Sequence, residues 1–274
     1  MSRLRTLEHR RKSLRDIREI MNSMKSLAYI ETRKLTKRLA AQRAVVASIE
    51  TAARDFLSFF PNAPPSRTDS ESIRLVIGTE RGFCGDLNQR LWQHATAAAQ
   101  DAAPERLLVV GRKLHGLFED DSRVAAFLDG AETAEEVARV LNRIVAELSA
   151  LQTQHAIVPV SLTYVGMEHE PRTMRLLPAF ADQAASQEFA YPPVLNLSAP
   201  ELLLALTDQY LLAALNEILY SALMEENHRR VTHLDGAVNH LDEQMERLGR
   251  RLNELRQEEI IEEIEIILLS AVSS

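Results

Sequence analysis

The chain contains little that would interrupt a helix at either end. All ten prolines lie between Pro61 and Pro200, and residues 1–60 contain neither proline nor glycine. An internal proline costs a helix about 3 kcal/mol and a glycine about 1 kcal/mol, so this absence predicts one continuous N-terminal helix. Residues 201–274 contain only two glycines and predict a second long helix.

Cysteine and long apolar runs are also scarce. Cys84 is the only cysteine, which excludes an intrachain disulfide framework and favours a reducing compartment. The N-terminus lacks the apolar core of a signal peptide. No run approaches the roughly 18–20 uninterrupted apolar residues of a membrane-spanning helix, since glutamates interrupt the apolar stretch 260–269. We therefore expect any membrane association to go through partners.

Both ends carry apolar residues at alternating three- and four-residue steps, a spacing typical of coiled coils. The C-terminal seam is Val231, Leu234, Val238, Leu241, Met245, Leu248, Leu252 and Leu255. The N-terminal seam has two stretches, Leu14, Ile17, Met21, Met24, Ala28 and then Leu35, Leu39, Gln42, Val46, Ile49, Ala53, Phe56, Phe60. Gln42 is the single polar residue in this pattern.

The charges of the two ends are opposite. Residues 1–60 contain fourteen Lys and Arg against six Asp and Glu, whereas residues 201–274 contain six against fifteen. Opposite charges beside an apolar seam select the partner helix. The sequence therefore predicts a long antiparallel two-helix coiled coil, formed by the coiled-coil helices 1–60 and 201–274, with an α/β insert at 61–200.

The insert at 61–200 is predicted to form a small α/β, Rossmann-like domain. Strands 73–77 and 106–110 each end at a glycine, which suggests two parallel strands. Further elements are predicted at 87–100 and about 132–151 as helices, and at 156–165 and 172–177 as strands. The proline-containing segments 62–66 and 191–193 are the expected joints.

The segment Gly78–Asn88 lies between a strand and a helix, where a phosphate-binding loop could lie. Its glycine spacing does not match a dinucleotide fingerprint, and Glu80 and Asp86 would repel a phosphate, so we favour a structural turn. Cys84 is interpreted as a small buried residue. The scattered histidines predict no metal site, and the acidic chain, with a pI near 5.7, predicts no nucleic-acid binding.

The last turns of the C-terminal helix are apolar around the whole helix axis. The residues concerned are Ile260, Ile261, Ile264, Ile266, Ile267, Leu268 and Leu269. A helix that is apolar on every side must be buried on every side. We therefore expect this tip to insert into a sleeve formed by another protein.

Three separated elements resemble the gamma subunits of F-type rotary ATP synthases. Thr79-Glu80-Arg81-Gly82-Phe83-Cys84-Gly85-Asp86-Leu87-Asn88 is similar to the family's Ser-Asp-Arg-Gly-Leu-Cys-Gly-Gly-Leu-Asn element, and Arg81, Gly82, Cys84, Gly85 and Asn88 match it residue by residue. Ile20, Met24, Leu27, Ala28 and Lys34 resemble the family's N-terminal helix. Residues 256–264 resemble its C-terminal Arg-Gln end.

This resemblance implies a non-catalytic rotor subunit with no catalytic, cofactor-binding or metal-binding residues. It implies as partners the alpha and beta subunits of the catalytic hexamer, a small epsilon-type subunit and the membrane c-ring, at the cytoplasmic face of the bacterial inner membrane. It implies partner contacts at Met24, Arg256 and Gln257, with Ile260, Ile264 and Leu268 in a hydrophobic bearing. Two rival interpretations remain open: a free-standing coiled-coil scaffold or adaptor, and a nucleotide-binding α/β enzyme.

Overall fold

The computed structural model describes residues 3–61, 72–97, 105–152, 158–180, 191 and 193–272. Within them the elements are α1 (Arg3–Phe59), β1 (Ser72–Ile77), α2 (Leu87–Ala97), β2 (Glu105–Val110), α3 (Arg112–Phe118), β3 (Val124–Leu128), α4 (Val137–Leu151), β4 (Val160–Val165), β5 (Pro171–Leu177) and α5 (Ala199–Val272). The two long terminal helices and the central α/β region are therefore confirmed. The chain forms two compact units, one of Met1–Tyr29 with Arg230–Ser274 and one of Ile30–Arg229.

In the first unit, the predicted C-terminal seam faces inward. All eight of its residues are buried or half-buried, and Leu234, Val238 and Leu252 are only 0%, 5% and 2% exposed. On α1, Ala28 is buried as predicted. Ile17 departs from the prediction because it is 42% exposed, and its neighbour Arg18 is the half-buried residue at this turn.

Ion pairs join the α1 and α5 segments of this unit. Glu8 pairs with Arg256 at 2.6 Å, Arg18 with Asp242 at 2.5 Å, and Lys25 with Asp235 at 2.9 Å. Sequence positions rise along α1 while those of their partners fall along α5. Exposed pairs of this kind contribute about 0–1 kcal/mol each, so they orient the helices more than they stabilise them.

The second unit contains a five-stranded sheet in the order β3-β2-β1-β4-β5. β1 pairs in parallel with both β2 and β4, β3 pairs in parallel with β2, and β5 is antiparallel to β4. The two predicted strand-glycine units are thus parallel neighbours. The pairing of β2 with β3 changes register at a β-bulge in β3, which lies between the residues that pair with Leu107 and Leu108.

Alternate strand residues point to two separate hydrophobic cores. Leu75 and Leu108 belong to the larger core, which includes residues of α1, α4 and α5 such as Leu35, Ile144 and Leu215. On the other side, Val76, Leu107 and Val109 pack with α2 and α3. The sheet is therefore covered by helices on both faces, as expected for parallel strands.

Several predicted boundaries and elements need correction. The helix expected at 132–151 begins at Val137, because residues 134–136 form a turn that contacts α1. The sequence analysis did not predict the short α3 and β3. α3 follows Gly111 directly and contains Gly116. β3 has only five residues, and its sequence does not alternate between polar and apolar residues. Residues 98–100, the predicted strand start at 156, the joint 62–66 and Pro192 lie outside the described residues.

One stretch of α5 meets the length and composition criteria for a membrane span. This stretch lies within residues 199–224, because charged residues are too frequent further along the helix to meet the composition criterion. Leu203, Leu215 and Leu219 from this stretch are buried in the larger core of the second unit. Its apolar character is therefore accounted for by packing within the protein.

Candidate functional site

The glycine-containing turn follows β1 at the carboxyl end of the parallel strands. The N–H of Thr79 donates to Oδ1 of Asn88 at 3.0 Å, and Nδ2 of Asn88 donates to the hydroxyl of Thr79 at 2.7 Å. One side chain therefore closes the two ends of the turn at the start of α2. This is a structural task for Asn88, one of the residues that carry the family resemblance.

Glu80 places a buried carboxylate above the strand ends. Its Oε2 accepts the backbone N–H of Gly130 at 2.7 Å and that of Arg112 at 3.0 Å. Its Oε1 lies 2.8 Å from the guanidinium of Arg112. A bound phosphate in an α/β fold would use backbone donors at this edge. Here the protein's own carboxylate occupies them.

Glu226 of α5 attaches the turn to the C-terminal helix. Its carboxylate accepts the backbone N–H of Glu80 at 3.1 Å and that of Arg81 at 3.0 Å. Glu226 is 3% exposed, so these backbone donors have exchanged water for a charged acceptor. The guanidinium of Arg81 pairs with Glu132 in the loop after β3. The turn therefore links β1, α5 and a neighbouring loop.

Cys84 is buried within this turn, as predicted. Its Sγ lies 3.4 Å from the carbonyl oxygen of Gly82 and 3.7 Å from that of Glu226. Carbonyl oxygens do not stabilise a thiolate, so this is not the electropositive setting of a reactive cysteine. Phe83 and Gly85 on either side have φ of 63° and 62°, a left-handed backbone that Gly85 adopts without steric cost.

A charged cluster beside the turn was not foreseen from the sequence. Arg229 of α5 donates to Asp86 at 3.2 Å and to Glu225 at 2.8 Å. The buried Glu225 also lies 2.7 Å from Nδ1 of His169, in the β4–β5 connection. Asp86, which replaces a glycine of the family element, thus has a partner on α5. Only the Glu225–Arg229 spacing of four residues was visible in the sequence.

α1 contacts the loop before α4 through another buried carboxylate, that of Glu31. Glu31 accepts the N–H of Ala134 at 2.6 Å, and Arg38 donates to the carbonyl of Ala134 at 3.2 Å. A hydrogen bond from its own backbone N–H lowers the pKa of Glu135 below its usual value, and Lys34 and Arg38 lower it further. These contacts hold α1 against the sheet domain within the second unit.

The residues predicted to contact partners lie in the first unit. Met24 is half-buried, and Arg256 and Gln257 are exposed. Arg256 donates to Glu8 at 2.6 Å, a contact that the sequence did not predict. Ile260, Ile264 and Leu268 are 55%, 50% and 61% exposed. Within the described ranges, no group of three or more His, Cys, Asp and Glu residues is arranged to hold a metal ion.

The fold is that of the central rotor of ATP synthases. The chain superposes on a subunit of the Euglena gracilis mitochondrial ATP synthase in a structure containing OSCP, F1 and c-ring, with a TM-score of 0.62 at 15% identity, over 98% of this chain and 94% of that one. A chain of the rotor of the same enzyme gives a TM-score of 0.59 at 15% identity, covering 94% and 98%. The central stalk and c-ring structure of Tetrahymena thermophila mitochondrial ATP synthase gives 0.57 at 14% identity, covering 80% and 99%.

Sequence comparison identifies the family. The profile described as ATP synthase matches residues 3–272, and the chain belongs to this family. Its curated relatives include the ATP synthase gamma chains of Desulforudis audaxviator, 26% identical over 96% of both chains, and of Acidiphilium cryptum, 28% identical over 97% of this chain and 98% of the relative. The family resemblance inferred from the three sequence elements is therefore confirmed.

Proposed function

We propose that this chain is the central-stalk gamma subunit of a rotary F-type ATP synthase. It transmits torque between the ion-driven rotor ring in the membrane and the catalytic hexamer during ATP synthesis and hydrolysis. The observation that carries this proposal is the match of the ATP synthase family over residues 3–272. The likeness to rotor and central-stalk structures over most of the chain supports it.

The rod of this rotor is an antiparallel coiled coil of residues 1–60 and 201–274, with the α/β domain 61–200 inserted between them. This is supported by the buried seam of α5 and by ion pairs in which positions 8, 18 and 25 of α1 meet 256, 242 and 235 of α5. For rotation to change nucleotide affinity, each rotor angle must contact the three catalytic sites differently. An asymmetric rod meets that requirement.

The partners are the alpha and beta subunits, an epsilon-type subunit and the c-ring. Met24, Arg256 and Gln257 contact the hexamer, and Ile260, Ile264 and Leu268 turn in its hydrophobic bearing. The exposure of these three apolar side chains supports the bearing, because a solvated helix would place polar residues there. The complex lies at the cytoplasmic face of a bacterial inner membrane, which this subunit reaches only through its partners.

The chain contributes no catalytic group of its own. The turn of Arg81, Gly82, Cys84, Gly85 and Asn88 acts as the junction between the sheet and α5. Glu226 occupies the backbone donors of Glu80 and Arg81 in the turn, and Glu80 occupies those of Arg112 and Gly130 beside it. This occupation argues against the nucleotide-binding enzyme. The rival interpretation, a free-standing coiled-coil scaffold, would not require the exposed apolar residues at the end of α5.

The test is to purify the tagged chain from membranes of its native host in mild detergent and to identify the proteins that accompany it. We expect an ATP-hydrolysing hexamer with one copy of this chain for every three catalytic subunits. Recovery of the chain alone, or with proteins unrelated to ATP synthase, would overturn the proposed rotor function and favour the scaffold interpretation.

A further inference from the structure

The turn that follows β1 presents two consecutive backbone N–H groups to one carboxylate. The N–H of Glu80 donates to Oε2 of Glu226 at 3.1 Å, and the N–H of Arg81 donates to Oε1 at 3.0 Å. Each oxygen of the carboxylate therefore receives one of these two bonds. We propose that the two N–H groups form a carboxylate-binding site, which we call the turn nest, and that its resident ligand, the side chain of Glu226, can be replaced by a small free carboxylate.

The topology of the sheet places the turn nest where α/β proteins bind ligands. β2 and β3 lie on one side of β1, and β4 lies on its other side. In an open α/β sheet, ligands bind outside the carboxyl ends of the strands at such a change of direction. Successive backbone N–H groups in a turn also form a concave site for anions. A carboxylate of α5 thus occupies the position that a bound anion would take.

Contacts other than those of Glu226 hold the shape of the turn. The N–H of Thr79 donates to Oδ1 of Asn88 at 3.0 Å, and the side-chain amide of Asn88 donates to the hydroxyl of Thr79 at 2.7 Å. The N–H of Lys113 donates to the carbonyl oxygen of Thr79 at 3.1 Å. Because these bonds fix the residue that precedes the turn nest, we expect the two donors to stay in place when the Glu226 side chain is truncated.

The charges near the turn nest favour a ligand with one negative charge. The carboxylate of Glu80 is buried and lies 2.8 Å from the guanidinium of Arg112. The guanidinium of Arg81 pairs with Glu132. These carboxylates would repel a phosphate, which has the larger charge, more strongly than they repel acetate. Acetate also has the charge and the two oxygens of the side chain that it would replace.

Burial and the covalent tether explain why Glu226 is the resident ligand. Glu226 is 3% exposed, and hydrogen bonds to a charged acceptor are stronger where water is excluded. Its attachment to α5 also gives it a high effective concentration at the turn nest. A free carboxylate should therefore bind only after this side chain has been removed.

The experiment measures thermal unfolding of the full-length Glu226→Ala variant at pH 7, in sodium acetate and in sodium chloride at equal concentrations. A ligand that binds only the folded state stabilises it, so high acetate concentrations should raise the melting temperature by about 3 °C or more relative to chloride. Leu234→Ala is the matched control, because it also truncates a buried side chain of α5 but leaves Glu226 in place. It should respond to acetate no more than wild type does. Equal responses of the two variants would overturn the proposal.

Glu226→Gln tests whether the space left by the truncated side chain is required. Its amide fills the turn nest without a charge, so acetate should not stabilise this variant, and equal stabilisation of Glu226→Gln and Glu226→Ala would overturn the proposal. If Glu226→Ala does not fold in chloride, the soluble yield after refolding in each salt replaces the melting temperature. Equal yields in acetate and chloride would then overturn the proposal.

Nuclear magnetic resonance locates the bound acetate. The backbone amide resonances of Glu80 and Arg81 should shift on addition of acetate in Glu226→Ala but not in wild type, and unchanged resonances in the variant would overturn the proposal. Greater stabilisation by phosphate than by acetate would overturn the assignment to carboxylates. These measurements use the purified chain without partners, so their outcome is independent of the proposed rotor function.

Discussion

Glu226 on the C-terminal helix accepts the backbone N–H of Arg81 at 3.0 Å, across 145 residues of sequence. The same carboxylate accepts the N–H of Glu80 at 3.1 Å, and the side chain is almost fully buried. The junction between the sheet and α5 therefore depends on a charged group that serves backbone donors instead of a substrate. In a subunit that transmits force, such a contact joins the α/β domain to the helix.

Replacing Glu226 with alanine should destabilise the protein. The buried N–H of Glu80 and the partly buried N–H of Arg81 would lose their acceptor, and a buried unsatisfied donor costs about 1–3 kcal/mol. The free energy of unfolding, measured by urea titration of the purified chain, should fall by about 2 kcal/mol or more. Glu258→Ala, at an exposed position of the same helix, is the control and should change it little. Equal stability of the two variants would show that the turn is held by other contacts.

Gly111→Ala should destabilise the sheet domain, whereas Gly116→Ala should stabilise it. Gly111 has φ of 104°, and a β-carbon there would lie 2.8 Å from the carbonyl oxygen of Gly78. The strain should cost about 1–3 kcal/mol or more. At Gly116, inside α3, a β-carbon meets no atom within 4 Å, and alanine gains about 0.5–1 kcal/mol of helix propensity. Thermal unfolding of both variants checks the opposite signs; shifts in the same direction contradict this account.

The long helices were predictable because their signals are repeated many times. The absence of proline over residues 1–60 and the seam from Val231 to Leu255 each combine many residues into one inference. The strands β1 and β2 were predictable for a related reason, since each is an apolar run that ends at a glycine. Such local patterns need no knowledge of distant contacts.

Features that depend on tertiary contacts were not predictable. Glu225, Glu226 and Glu31 look like ordinary helix-surface glutamates in the sequence, and only folding brings them to backbone donors or to His169. The exposure of Ile17 has the same origin, because the neighbouring Arg18 turns inward to meet Asp242.

Truncation at the seam should have effects that follow burial. Leu234 is 0% exposed, so Leu234→Ala should cost about 2–5 kcal/mol, which includes the cavity that it leaves. Leu241 lies on the same seam but is half-buried, so Leu241→Ala should cost distinctly less. Circular dichroism during urea unfolding measures both changes. Equal losses would mean that the seam is packed differently from the structure described here.

The stability contributed by Asp121 should depend on pH. The side-chain hydrogen bond with Arg123, at 2.9 Å from Nε, is the main cause that lowers the pKa of this carboxyl. A lowered folded-state pKa adds stability above the unfolded value of about 3.9, and that stability is lost as the pH falls through the folded value. Asp121→Asn should therefore be less stable than wild type at neutral pH, and the difference should shrink on acidification. Asp120→Asn, at the exposed neighbouring position, is the control. If the stability difference between Asp121→Asn and wild type persists unchanged in acid, the ion pair with Arg123 is excluded as its source.

The apolar tip of α5 should matter for assembly and coupling but not for folding. Ile260, Ile264 and Leu268 are at least half exposed, so replacing all three with serine removes little buried surface from the chain itself. The melting temperature of the isolated protein should stay near that of wild type, and its solubility should rise. In the reconstituted complex, the same variant should lower ATP synthesis driven by the ion gradient, because the proposed bearing would lose its apolar contacts with the helix. The matched control is Ile20→Ser/Leu27→Ser, which also replaces exposed apolar residues, but on α1. Normal coupled synthesis by the tip variant would show that the bearing does not depend on these side chains.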